Sequence, residues 1–145
     1  MSAKQDFSAV PEQMKSRKQW VVWRYELRDP NMPEGGNNKR TKVPYQAEYV
    51  LRGQLKKARS NDPSTYASFD TAVAALKADV PIDGIGFCLQ KGDGIVGIDL
   101  DYCFKEGELV PWARHVVEEF AGAYVEISPS RNGLHIWWSF SCVVG

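Results

Sequence analysis

Apolar positions along the chain fall in short runs separated by turn formers, and most of the runs lack a helical period. Gln19-Trp20-Val21-Val22-Trp23-Arg24-Tyr25 is dense in aromatic and β-branched side chains and predicts a strand. It runs into Asp29-Pro30-Asn31-Met32-Pro33-Glu34-Gly35-Gly36-Asn37-Asn38, a loop punctuated throughout by turn residues, and Lys39 to Tyr45 leaves that loop as a short extended basic segment. A helix is predicted from Ser68: its hydroxyl can cap the first turn, Asp70 suits the positive end of the dipole, and Phe69, Ala72, Val73 and Leu76 have helical spacing. Residues 84–90 and 95–101 predict two strands joined by the turn Lys91-Gly92-Asp93-Gly94, a β-hairpin. Pro111 suits the first turn of a second helix, with Trp112, Val116 and Phe120 four apart on one face and Gly122 ending it. Residues 123–128 and 133–138 predict two further strands around Ser-Pro-Ser-Arg-Asn-Gly, in which Asn132-Gly133 is a strong turn signal. The pattern predicts an α/β fold of the α+β kind: a mostly antiparallel sheet with flanking helices.

A length of 145 residues suits one domain spanning the whole chain, and no stretch is apolar enough to cross a bilayer. The polar start, Met1-Ser2-Ala3-Lys4-Gln5-Asp6, lacks the apolar run of a secretory signal, so a cytoplasmic location is expected, with no membrane partner. Cys88, Cys103 and Cys142 are an odd number without a CxxC spacing, which predicts buried reduced thiols and neither a disulfide framework nor a zinc site. The zero net charge conceals opposed blocks. Residues 37–59 hold Lys39, Arg40, Lys42, Arg52, Lys56, Lys57 and Arg59 against Glu48, a net +6, whereas residues 79–126 hold ten acids against three cations, a net −7. A basic block suits phosphate and an acidic block suits divalent cations, although from charge alone a solvated basic loop beside an ordinary acidic surface is the favoured reading.

Asp99 and Asp101 lie two apart on a predicted strand, where period-two geometry puts both carboxylates on one face. Two acids that close repel unless water or a cation screens them, and magnesium-dependent phosphoryl transfer uses that arrangement. Taken alone, an Asp-x-Asp at a strand end is more often merely solvated. His135 follows the Ser-Pro-Ser turn on the next strand, where it could donate to a nucleotide phosphate. Ser128 and Ser130 add hydroxyls, and the turn adds backbone N–H donors. A structural histidine beside Trp137 is the competing interpretation. His115, inside the second helix, is assigned no chemistry.

Gly94-Ile95-Val96-Gly97-Ile98-Asp99-Leu100-Asp101 is followed by Tyr124-Val125-Glu126-Ile127-Ser128-Pro129-Ser130-Arg131-Asn132-Gly133-Leu134-His135-Ile136. Together the two runs resemble the archaeo-eukaryotic primase superfamily, most nearly the primase-polymerase domains of phage and plasmid replication proteins. A hydrophobic strand ending in Asp-x-Asp and a small-residue turn ending in histidine occur in that order, with His135 34 positions after Asp101. The resemblance extends upstream to Gln19–Trp23 and Lys39–Tyr45 and so covers most of the chain from about residue 10. It implies an RRM-like primase-polymerase core and a metal-dependent nucleotidyltransferase for DNA priming or polymerisation. Asp99 and Asp101 would hold Mg²⁺ or Mn²⁺, and Asp99, Asp101 and His135 would be the catalytic set. His135 with Ser128, Ser130 and Arg131, and more remotely Lys39, Arg40 and Lys42, would contact the triphosphate. The implied partners are nucleoside triphosphates, a DNA template and a replicative helicase domain or partner.

Two departures from the family pattern matter. Arg131 replaces the first glycine of Ser-Pro-Ser-Gly-x-Gly-x-His, a strained choice if that position needs positive φ, though its charge could serve a phosphate. The family also uses a third acid on a later strand, whereas this chain ends ten residues after His135 with no acid beyond it. The nearest substitute is Glu126, which alternation places on a face with Ser128 and Ser130. The apolar tail from Trp137 to Gly145, with Trp138, Phe140 and Cys142, reads as an unfinished surface. The expectation is therefore the N-terminal part of a longer domain, truncated and impaired in activity. The alternative is a non-catalytic module that binds nucleotide or single-stranded DNA.

Overall fold

In the computed structural model, residues 7–139 are described. In chain order the elements are α1 (Glu12–Lys15), β1 (Trp20–Leu27), β2 (Arg40–Tyr45), α2 (Ala47–Val50), a 3-10 turn (Pro63–Thr65), α3 (Phe69–Leu76), β3 (Gly84–Phe87), β4 (Ile95–Leu100), β5 (Phe104–Lys105), β6 (Glu108–Leu109), α4 (Pro111–Glu119), β7 (Tyr124–Ile127) and β8 (Leu134–Ser139). The architecture is α+β with antiparallel sheets and few helices, as the pattern predicts. Among the described residues no helix is long and apolar enough to cross a membrane. The chain divides into two compact units, one from Pro11 to Cys88 and the other from Leu89 onward together with the segment up to Val10.

The first unit holds a three-stranded sheet in the order β2-β1-β3. β1 takes the centre because its β-branched and aromatic run pairs on both edges: Val22 lies opposite Tyr45 on one side and Ile85 on the other. Trp20 meets Phe69 of α3 and Phe87 edge-on, with ring centroids 5.0 and 5.1 Å away. Its indole N–H is satisfied by the Met14 carbonyl at 2.9 Å. Val22 and Val50 are wholly buried, which stabilises the unit by about 1.5–3 kcal/mol for each side chain. α3 starts where expected: the Ser68 hydroxyl accepts the Thr71 N–H at 3.2 Å.

The second unit is built on another antiparallel sheet, β4-β8-β7, with β5 and β6 as a two-stranded ribbon. Ile136 in the central strand is fully buried. Cys103, Ala113 and Leu134 form a core with Leu100, Val110, Val117 and Val125 packed against it, so α4 covers the Leu134 face of the sheet. The opposite face carries Asp99, His135 and Glu126.

Two expectations are corrected, and the buried face of α4 is defined. Residues 84–90 and 95–101 do not form a hairpin: β3 pairs with β1 and β4 pairs with β8. The turn signal at Lys91–Gly94 is real, with the Asp93 carboxylate accepting the Gln90 and Ile95 N–H groups, yet the flanking segments find partners far along the chain. α4 buries Ala113, with Val117 packed beside it, and leaves Trp112 exposed, because a small residue lets the helix approach the sheet more closely than an indole would. The start of the apolar tail is packed: Trp138 meets Phe120 at 5.7 Å and Trp137 lies over Gly97. Phe140 and Cys142 lie outside the described residues. Cys88 and Cys103 are free buried thiols.

Candidate functional site

The register of the second sheet puts three polar side chains in one row. Asp99 of β4 lies opposite His135 of β8, and His135 lies opposite Glu126 of β7. Residues opposite each other on antiparallel neighbours share a face, so Asp99, His135 and Glu126 stand side by side. The next row on that face is Gly97, Trp137 and Tyr124. A Cβ on Gly97 would come within 3.1 Å of the Trp137 ring, so the glycine makes room for the indole beside the site.

His135 sits between two acids with unequal geometry. Its Nδ1 is 3.0 Å from Glu126 Oε1, and its Nε2 is 3.6 Å from Asp99 Oδ1. The first is a hydrogen bond and the second is too long to be one. Glu126 also accepts the Tyr124 hydroxyl at 3.1 Å and the Trp137 indole N–H. Burial alone would raise the Glu126 pKa, but the hydrogen bonds from His135 and Tyr124 outweigh it and hold the carboxyl below its ordinary range. The Tyr124 phenol is pushed up, by burial first and then by the Glu126 charge, and so remains a donor.

The loop before His135 is pinned by its own hydroxyls. Ser128 is buried; its Oγ accepts the Gly133 N–H at 3.1 Å and lies 3.0 Å from Ser130 Oγ. Arg131 donates its N–H to the Ser128 carbonyl at 2.8 Å and adopts φ 64°, in the left-handed region that favours glycine. Gly133 is required by close approach, because a Cβ there would run into the Leu100 carbonyl oxygen at the end of β4. The turn therefore abuts the Asp99-Leu100-Asp101 segment directly.

Of the residues singled out from sequence, Asp99 and His135 come together on one sheet face, and Asp101 is exposed just beyond the end of β4. Ser130 and Arg131 are exposed on the turn, whereas the Ser128 hydroxyl is taken up inside it. Lys39, Arg40 and Lys42 belong to the other unit, all exposed: Arg40 pairs with Glu34 at 3.4 Å, and the Lys42 ammonium lies 4.7 Å from the Trp23 ring. Glu126 was legible only as a spare acid, and Tyr124 not at all. The signal lay in the turn: if Ser128 faces Gly133, counting outward puts Glu126 opposite His135.

Asp99 and Asp101 offer hard, exposed oxygen donors of the kind that bind Mg²⁺ together with phosphate oxygens rather than in an all-protein cage. Among the described residues no group of three His, Cys, Asp or Glu side chains could enclose a metal ion. Glu126, the acid nearest His135 in sequence, is hydrogen-bonded to it.

No family model matches the chain. It is 38% identical over 120 residues to a DNA primase-polymerase of Nitratiruptor phage NrS-1. The chain carries a primase-polymerase domain. The match covers 81% of this chain and 14% of that relative, so the chain spans a small part of the phage protein's length. The superfamily resemblance read from the Asp-x-Asp strand and the histidine turn is consistent with this assignment. The primase-polymerase match also accords with the α+β architecture described above.

Proposed function

We propose that this primase-polymerase domain binds a nucleoside triphosphate and a DNA template and takes part in metal-dependent nucleotidyl transfer for DNA priming or polymerisation. The observation that carries the proposal is the placement of Asp99 beside His135, with Asp101 following directly. Asp99 and Asp101 would hold Mg²⁺ or Mn²⁺, which when bound neutralises phosphate charge and orients the reacting oxygens. His135 presents Nε2 toward the Asp99 side, where a phosphate oxygen held near the carboxylates would sit. Ser130, Arg131 and the turn amides add donors for the same triphosphate. Lys39, Arg40 and Lys42 form a cationic strand edge suited to nucleic-acid backbone. The natural setting is phage or plasmid replication in the cytoplasm, with a helicase domain or partner.

Asp101→Asn tests the centre of this reading. It should abolish metal-dependent triphosphate binding and leave the fold intact, because an exposed carboxylate carries little packing energy. His135→Ala should weaken triphosphate binding and spare the metal. Calorimetric titration of both ligands into the three proteins checks this, and unchanged binding by Asp101→Asn would remove the pair from the mechanism. Metal-dependent incorporation of labelled nucleotide separates a transferase from a module that only binds.

A further inference from the structure

Glu126 is spent on a neighbouring side chain, and the way it is held has a consequence for His135. The carboxylate is kept ionised by three donors, the His135 ring, the Tyr124 hydroxyl and the Trp137 indole. An ionised carboxylate only accepts hydrogen bonds. The 3.0 Å contact from Glu126 Oε1 to His135 Nδ1 therefore requires the proton to be on Nδ1. The backbone supports the contact, since the two residues are direct cross-strand partners in the β7–β8 pair. Asp99, on the other flank, stands too far from Nε2 to compete for the ring.

We infer that Glu126 is a positioning residue for His135: by accepting the Nδ1 proton, with Tyr124 and Trp137 bracing its carboxylate, it fixes the imidazole so that Nε2 faces the Asp99 side of the sheet. The inference deepens the functional reading above, from which it takes only the phosphate-contacting role of His135. It also gives Tyr124 a task, because the phenol fixes the second oxygen of Glu126 and so its plane. Histidines that act on a ligand through one nitrogen are commonly held through the other in this way.

The test reads the ring itself. Long-range proton–nitrogen spectra of the imidazoles, recorded where the rings are neutral, should show the Nδ1–H tautomer for His135. Exposed His115 should show the Nε2–H form that prevails in water and serves as an internal reference. Glu126→Gln keeps an oxygen for Nδ1–H and should preserve both the signature and triphosphate binding. Glu126→Ala should convert His135 to the Nε2–H form and weaken triphosphate binding by about ten- to a hundredfold. Glu126→Ala/His135→Ala should bind no more weakly than His135→Ala alone, the non-additivity of residues acting through one another. An Nε2–H tautomer for His135 in the wild-type protein overturns the inference, as does wild-type affinity in a folded Glu126→Ala. If Glu126→Ala does not fold, the wild-type tautomer decides. A wild-type protein that shows the Nδ1–H signature but binds no triphosphate would sink the functional reading and leave the role of Glu126 standing.

Discussion

Arg131 holds a backbone conformation, φ 64°, that costs a residue with a Cβ about 1–2 kcal/mol. Glycine there would relieve that strain and lose about 0.5–1 kcal/mol through the greater freedom of the unfolded chain. Arg131→Gly should therefore raise stability by up to about 1 kcal/mol, seen as a higher denaturant midpoint at unchanged slope. The same variant should bind triphosphate more weakly, because the exposed guanidinium beside the turn amides is lost. A rise in midpoint without any loss of affinity would show that the arginine does not touch the ligand. Ser128 makes the contrasting case: its position in the motif suggests a ligand contact, yet its hydroxyl holds the Gly133 amide. Sequence shows that a hydroxyl is present at the turn. It does not show that the chain will close on that hydroxyl before any ligand can.

At the scale of elements, the β7–β8 hairpin sets the site, because its register makes Glu126 and His135 partners and its turn abuts β4. Gly133→Ala drives a Cβ into the Leu100 carbonyl, and the end of β4 must move to admit it. The cost should be about 1–3 kcal/mol, as for overpacking elsewhere, with triphosphate affinity falling too because Asp99 and Asp101 flank Leu100. Chemical denaturation and calorimetry check both effects, and an unaltered midpoint would contradict the close approach. The β7–β8 hairpin is legible in sequence because its strands are consecutive and its turn is short. The predicted hairpin of residues 84–90 and 95–101 rests on the same kind of signal and fails, since β3 pairs with the Trp20–Trp23 run of β1 and β4 pairs with β8. On α4 the apolar residues Trp112, Val116 and Phe120 have helical spacing, but Ala113 and Val117 do too. A period of 3.6 admits both faces, and only the shape of the opposing sheet chooses between them.

Across the whole molecule, among the described residues the two compact units each bury one cysteine, Cys88 in the first and Cys103 in the second. Burial pushes the Cys88 thiol up to about 11 and raises Cys103 as well. Thiolate is the reactive form, so at neutral pH neither should react with an alkylating reagent in the native protein, and each should label only as its own unit opens. Mass spectrometry of the two peptides along a denaturant series measures this, and rapid native labelling of either thiol would contradict its burial. The opposed charge blocks fall mostly on opposite sides of the same boundary: the basic residues 39–59 lie in the first unit together with Asp79 and Asp83, and Asp99, Asp101 and Glu126 lie in the second. Sequence alone determined the six longer strands, the α3 cap, the Asp-x-Asp and histidine motifs and the family they resemble, because these depend on residue type and on spacing within a few positions. Tertiary structure alone decided that the longer strands form two separate three-stranded sheets, that His135 lies opposite Asp99, and that Glu126 is hydrogen-bonded to the histidine. The reason is physical: alternation dictates which side chains share a face of one strand, whereas pairing depends on which distant segment offers the better edge and the denser core.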